Sequence, residues 1–439
     1  MSLRSVSDVE LCSFIPPLNC DQQEEISECD DIAEAEANSH VRSAADAPHP
    51  RGGDFGSATC EGKWDFDDSF WQKLLGSGAA LAGTAEYMED GQVPCPFDVN
   101  NTMPSSFAEQ LRHMVQSGET LPKSSNGRLR VICLNSVRHL PEKEFSIRLM
   151  ELLADRGIDC CICDENSIKF IRQINPDFII NFWEHELARP SADIPSAAIV
   201  WSKDHRLNST VSYDAIFYAT DDADAIKKTA AARGKNPHIL PFDLSVKKTE
   251  FYDGPKQRLF YASVNWDRRR GKLYVPLYKL LDATGYFDAY GPEGSWKGKV
   301  KNSYRGLITN RNDELLKTAQ RAGVVLTLHS DGALNIGTQS SRVFEAAAAS
   351  AVIISDRHPF IVKHFGDSVL YVDQNSGTGK MFQQIDGHMR WILANQEKAK
   401  ELARRSHEIF IEKFVLDIEA DKIAAKIGEI VAQKAVKAR

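Results

Sequence analysis

The chain has 439 residues, 42% of them apolar and 26% charged, which suits a soluble globular protein of two ordinary domains plus an extension. A formal net charge of −8 offers no basic field to gather phosphates and argues against general nucleic-acid binding. No apolar run reaches the roughly 18 residues of a spanning helix, and the opening MSLRSVSDVELCSF lacks a signal pattern, so no transmembrane segment or export is expected.

Residues 1–60 read as a disordered acidic extension: DQQEEISECDDIAEAEANS has few large apolar residues, and APHPRGGDFGS adds breakers. Residues 61–125 hold short helical patches, SFWQKLL and SFAEQLRHMV, expected to pack on the domain that follows. From there the pattern alternates. RVICLNS, IDCCIC, DFIINFW, SAAIVW, YDAIFYA and HILPF read as strands, with helices at EKEFSIRLMELLADRG, NSIKFIRQIN and DDADAIKKTAAARG. This places a first domain over 126–250.

After the connector DLSVKKTEFYDGPKQ the alternation restarts as a second domain over 251–439. QRLFYASV, FDAYG, GVVLTLH, AVIIS and SVLYV read as strands, GKLYVPLYKLLDATG and DELLKTAQRAG as helices. Helices close the chain, the last carrying one apolar stripe of Phe410, Phe414, Ile418, Ile423, Ile427 and Ile430. Short apolar strands between amphipathic helices predict α/β architecture: two tandem Rossmann-like doubly wound domains after an irregular N-terminal extension. Ligands in such sheets sit at the carboxyl ends of strands.

All nine cysteines precede Glu165. Cys160, Cys161 and Cys163 share one strand, where alternation sends Cys161 to the face opposite Cys160; they make a poor metal cage and read as buried small hydrophobes. The odd count and missing signal favour a reducing compartment, the cytoplasm.

The stretch SSRVFEAAAASAVIISD (340–356) carries the chemistry. It reads as an alanine-packed helix capped by Ser340 or Ser341, running into a buried strand. Free N–H groups and the positive dipole end at its start suit a diphosphate. Arg342 lies on the first turns of the helix, three residues before Glu345, and a carboxylate one turn in can accept hydrogen bonds from a ribose diol. The pairing points to a nucleotide-sugar site.

Five pieces in order, FYASVNWDRRRGK, AYGPEGSW, SYRGLI, LTLHSDGALNIGTQSSRVFEAAAASAVIISD and SVLYVD, resemble GT-B glycosyltransferases of the group-1 type, and within them the spore-maturation-like branch. The resemblance covers Arg258 to Phe414 well, Arg130 to Pro241 loosely, and not the first 120 residues. It implies that Glu345 holds the ribose while Arg342 and the backbone at Ser340 and Ser341 face the diphosphate. Among Arg268, Arg269, Arg270 and Lys272 it implies a fixed cation for the leaving diphosphate, in place of a metal or other cofactor. Asn265, Gly291 and Asn335 would line the same pocket.

Many retaining members carry a second glutamate ahead of the ribose-binding one with seven residues between them; here that position is Gly337. The expectation is therefore inversion, with a general base from the first domain. Candidate bases are Glu184 and His185 in NFWEHELARP and Asp204 and His205 in WSKDHRLNS, with His139 a third location. The D-x-D in DDADAIKK reads as an N-cap from Asp221 or Asp222 rather than a metal site. Neither a P-loop nor a G-x-G-x-x-G occurs, so the ATPase and dinucleotide classes lack their phosphate loops. The expected activity is hexosyl-type transfer to a glycan, lipid, protein or small-molecule acceptor. The rivals are a nucleotide-sugar epimerase or phosphorylase of the same fold and a non-catalytic nucleotide-sugar or partner-binding module.

Overall fold

A computed structural model describes residues 105–124, 127–134, 140–163, 170–182, 193–200, 213–219, 224–232, 234–265, 267–308 and 313–437. Its first half holds α1 (Ser105–Ser117), β1 (Arg130–Leu134), α2 (Leu140–Asp155), β2 (Asp159–Cys163), α3 (Ile171–Ile174), β3 (Phe178–Phe182), β4 (Ser196–Val200), β5 (Ala215–Tyr218), α4 (Asp224–Ala232) and β6 (His238–Pro241). The six strands pair in parallel in the order β2-β1-β3-β4-β5-β6. Parallel strands covered on both faces are near-continuous apolar runs, which is why RVICL, FIINF and AIFY are mostly apolar with no polar alternation.

Strand alternation divides their side chains between two cores. Val131, Cys160 and Ile180 pack with α2 on one face, while Ile132, Cys161, Cys163 and Ile179 pack with Phe107, Leu111 and Met114 of α1 on the other. The patch SFAEQLRHMV thus covers the first sheet. The cysteines of β2 are buried free thiols on opposite faces.

The second half contains β7 (Arg258–Ala262), α5 (Val275–Asp282), β8 (Phe287–Tyr290), α6 (Glu293–Trp296), α7 (Glu314–Ala322), β9 (Gly323–Thr327), α8 (Asp331–Ile336), α9 (Ser341–Ala348), β10 (Val352–Asp356), α10 (Pro359–Phe365), β11 (Leu370–Val372), α11 (Thr378–Ala394), α12 (Gln396–Lys413) and α13 (Leu416–Lys437). Its five parallel strands run β11-β10-β9-β7-β8. Successive strands first step outward from β7 to β8 and then return past it to β9. The strand order therefore reverses between β7 and β9, and the loops leaving their carboxyl ends diverge into a crevice there.

Two helices differ from the sequence expectation. GKLYVPLYKLLDATG is not one helix: a π-helical turn, Arg269–Leu273, precedes α5, which starts at Val275 with a proline in its first turn. Proline lacks the N–H an interior position needs, so the α-helix begins there. The final apolar stripe is shared between two helices. Phe410 and Phe414 pack in the second core, whereas Ile423, Ile427 and Ile430 of α13 pack with β1, β3 and α2 in the first. The chain thus crosses between the cores twice, and the crossings touch: Leu416 N–H donates to Val246 O at 2.9 Å and the Ser245 hydroxyl to Phe414 O. Among the described residues no helix is long and apolar enough to cross a membrane.

Candidate active site

Side chains able to bind an anion gather at the carboxyl edge of the second sheet. β7 runs into a loop that the sequence must bend sharply. Asn265 takes φ +46°, a left-handed conformation that asparagine tolerates better than most residues, and is buried. Its Oδ1 accepts the Tyr278 hydroxyl at 3.3 Å, while its buried Nδ2 has no hydrogen-bond partner. Gly291, the residue after β8, supports the loop. At φ +140° it lies so close that a Cβ would come within 2.3 Å of Ser263 O. Only glycine fits there.

The loop then enters the π-helical turn, which presents the arginines. Arg270 is tied back to Asp267 through its backbone N–H at 3.0 Å and through its guanidinium. Arg269 donates from Nε to Asp331 Oδ1 at 2.6 Å and from Nη1 to the Tyr274 hydroxyl at 3.3 Å. Asp331 opens α8, so this contact joins the β7 loop to the β9 loop across the crevice. Arg268 and Lys272 are exposed, as is Asn335 near the end of α8.

On the far side of α8 stands α9. Ser340 is its N-cap, its hydroxyl accepting Arg342 N–H at 3.3 Å. Alanines at 346–349 let the helix lie tightly on the sheet, and all four are buried. Glu345 is only 3% exposed, so it is no surface glutamate. Arg342 Nη1 approaches Glu345 Oε2 to 2.6 Å, yet the two atoms are not aligned as a hydrogen bond and both keep unused capacity. The residue before the cap, Gln339, donates from Nε2 to Phe242 O at 3.0 Å and Asp243 Oδ1 at 2.9 Å. The helix start is thereby fastened to the first of the two crossings.

Between these groups lies a cluster that sequence reading missed. His329 follows β9 and Asp356 ends β10; both are buried. Asp356 accepts His329 N–H at 2.8 Å and contacts its Nδ1 at 2.7 Å. Burial alone would push the Asp356 pKa up, but the charge and two hydrogen bonds of His329 hold it below the ordinary carboxylate value. His358 stacks on His329 at 4.2 Å. Its pKa falls to about 4 because burial, and then His329, oppose a charge. The neutral ring is fully engaged, Nδ1 accepting Phe360 N–H at 3.2 Å and Nε2 lying 3.3 Å from Ala333 O. The available signal was the rule that strand ends carry function, applied to His329 and Asp356.

Of the residues singled out in the sequence, Asn265, Arg269, Arg270, Gly291, Ser340, Ser341, Arg342 and Glu345 lie on this one edge. Glu184, His185, Asp204 and His205 lie outside the described residues, as do His139, Asp221 and Asp222. The edge is rich in buried polar atoms without hydrogen-bond partners: Asn265 Nδ2, Thr327 Oγ1, His329 Nε2 and Thr338 Oγ1. Such groups cost about 1–3 kcal/mol each when left unpaired, so their concentration marks a place where a polar ligand completes the bonding.

Residues 269–425, from the arginine loop into α13, match the family described as glycosyl transferase-like. The sequence matches no curated protein. Among solved structures, the fold is similar to that of an α-glucosyltransferase in complex with UDP and a 13-mer DNA, with TM-score 0.50, 11% identity, and coverage of 69% of this chain and 99% of that one. A trehalose-6-phosphate synthase aligns with TM-score 0.47 at 10% identity over 68% of this chain and 99% of that chain. A pneumococcal O-GlcNAc transferase in complex with UDP and GlcNAc aligns with TM-score 0.43 at 13% identity over 63% of this chain. The match spans 61% of that transferase's own length. Two parallel α/β sheets in tandem constitute the GT-B fold of glycosyltransferases.

Proposed function

We propose that this chain, whose residues 269–425 match the glycosyl transferase-like family, transfers a sugar from a nucleotide-diphosphate sugar to an acceptor hydroxyl. The observation that carries this reading is the Arg342–Glu345 pair, its glutamate buried and its arginine half-buried, on the first turns of a capped helix at the crevice edge. Glu345 accepts from the ribose diol, and the helix start with Arg342 takes the diphosphate. Arg269 and Arg270 then stabilise the charge left when the bond between the anomeric carbon and the phosphate oxygen breaks. Each is already held by a carboxylate, so the donor exchanges for Asp331 and Asp267 rather than meeting bare cations. Protein charge of this kind serves in place of a divalent metal, and no cofactor is required.

The same reading makes the reaction inverting. Position 337, where a retaining enzyme of this type would carry its second glutamate, closes α8 at φ +70°. Glycine suits that conformation and a glutamate would be strained in it. The base that deprotonates the acceptor is assigned to Glu184, His185, Asp204 or His205, in the segments that follow β3 and β4. The buried free thiols suit a cytoplasmic location. The acidic balance of the chain disfavours a nucleic-acid acceptor.

The test is nucleoside diphosphate release from UDP-glucose, GDP-mannose, dTDP-glucose and ADP-glucose, with and without EDTA, with anomeric configuration read by proton NMR. Release from one donor, indifferent to EDTA, inverted in the product and lost in Glu345→Ala, supports the reading. Binding without release would instead indicate a nucleotide-sugar-binding module, and interconversion of the donor alone an epimerase.

A further inference from the structure

We infer that His329, clamped by Asp356, binds a hydroxyl of the donor's sugar and so takes part in selecting which sugar is transferred. This rests on the nucleotide-sugar reading above and deepens it. A carboxylate can only accept, so the contact between Asp356 Oδ1 and His329 Nδ1 at 2.7 Å places a proton on Nδ1. Asp356 Oδ2 takes the His329 backbone N–H at 2.8 Å, which fixes the ring's base as well as its edge. Every bond available to the near side of the ring is used. The far nitrogen, Nε2, is buried and has no partner.

That arrangement is the orienting half of an acid–histidine pair, in which the carboxylate sets ring position and tautomer and Nε2 meets the substrate. The neighbouring ring shows the contrast. His358 has both nitrogens occupied by the backbone, so it serves as the flat surface on which His329 rests. His329 leaves β9 at the reversal of strand order, two residues before Asp331, whose partner Arg269 comes from the other wall.

The ligand group follows from what the site already supplies. A diphosphate only accepts hydrogen bonds, and Arg269, Arg270 and Arg342 provide donors for it. A ribose diol finds Glu345. What a nucleotide sugar still has to satisfy are its sugar hydroxyls, which both donate and accept and so meet Nε2 in either protonation state. The diphosphate takes Arg269 from Asp331, two residues beyond His329, so the sugar attached to it lies beside this ring. A sugar hydroxyl then completes the bonding of the unpartnered Nε2.

The experiment is calorimetric titration of wild type, His329→Gln, His329→Phe and Asp356→Asn with UDP, GDP and ADP and with UDP-glucose, GDP-mannose and ADP-glucose. For the nucleotide that binds, His329→Phe and Asp356→Asn are expected to weaken the sugar nucleotide tenfold or more and leave the bare diphosphate within twofold. His329→Gln, whose amide reaches toward the position of Nε2, is expected to restore part of the difference. Equal weakening of both ligands in the folded variants would make the pair structural or phosphate-binding and would overturn the inference, as would no change in either. Failure of wild type to bind any diphosphate would instead remove the nucleotide-sugar reading, and this inference with it. Melting curves of each variant identify any that fails to fold, and His329→Gln is the variant least disturbing to the stack.

Discussion

His358 illustrates how much a single residue's surroundings can set. Its ring is buried against His329 and bonded to backbone on both sides, and its pKa of about 4 lies below the ordinary 6.5. The unfolded chain therefore binds a proton between those values that the folded chain refuses. Stability is complete above pH 6.5 and is lost as pH falls toward 4, by on the order of 3 kcal/mol for this residue. His388, also held down by burial, adds in the same direction, and Asp356, held below its usual range, adds loss at still lower pH. Melting temperature measured from pH 7 to pH 4 should fall steeply, and His358→Gln should flatten part of that fall. Neither His358 nor the His329–Asp356 pair was legible in the sequence. Residues 329 and 356 become neighbours only because β9 and β10 pair in parallel with Thr327 opposite Ser355, and no local pattern announces that register.

At the scale of elements the reading was mostly legible, for a physical reason. A buried parallel strand is a near-continuous apolar run, and every described strand falls on a segment read as a strand. α9 was legible through its serine, its alanines and the strand after it. The structure makes Ser340 the cap, with its hydroxyl on Arg342 N–H at 3.3 Å. Ser340→Ala should cost about 1 kcal/mol in urea unfolding and also weaken nucleotide binding. A loss of stability with unchanged nucleotide affinity would separate the cap from the ligand. The π-helical turn was less legible, because Arg268–Lys272 reads equally well as helix or loop until the proline of α5 is placed. That turn matters here because it sets Arg269 and Arg270 toward opposite carboxylates.

The molecule as a whole is joined by two chain crossings rather than one. Apolar residues on α13 say that the helix is buried but not on which core, so its return to the first sheet could not be read from periodicity. Leu416, Ile423, Ile427 and Ile430 each bury a large side chain there, and Arg156 reaches Asp421 at 2.6 Å. At about 1.5–3 kcal/mol per side chain this is on the order of 6–12 kcal/mol, comparable to the whole stability of a domain. A chain ending at Phe414 should therefore lose the protease resistance of its first half while the second sheet persists; equal resistance of both halves would refute that. The crossings adjoin a cavity of about 150 Å³ lined by Phe242, Gln339, Phe360 and Phe414, which connects the start of α9 to the junction. The central claim remains that a nucleotide-diphosphate sugar is held at that helix start. It is tested most directly by thermal shift of wild type and Glu345→Ala with UDP, GDP, dTDP, CDP and ADP. At about 100 times its dissociation constant one nucleotide should stabilise wild type by about 2.7 kcal/mol and leave Glu345→Ala nearly unmoved. Stabilisation of both proteins to the same extent, or of neither by any nucleotide, would contradict the account.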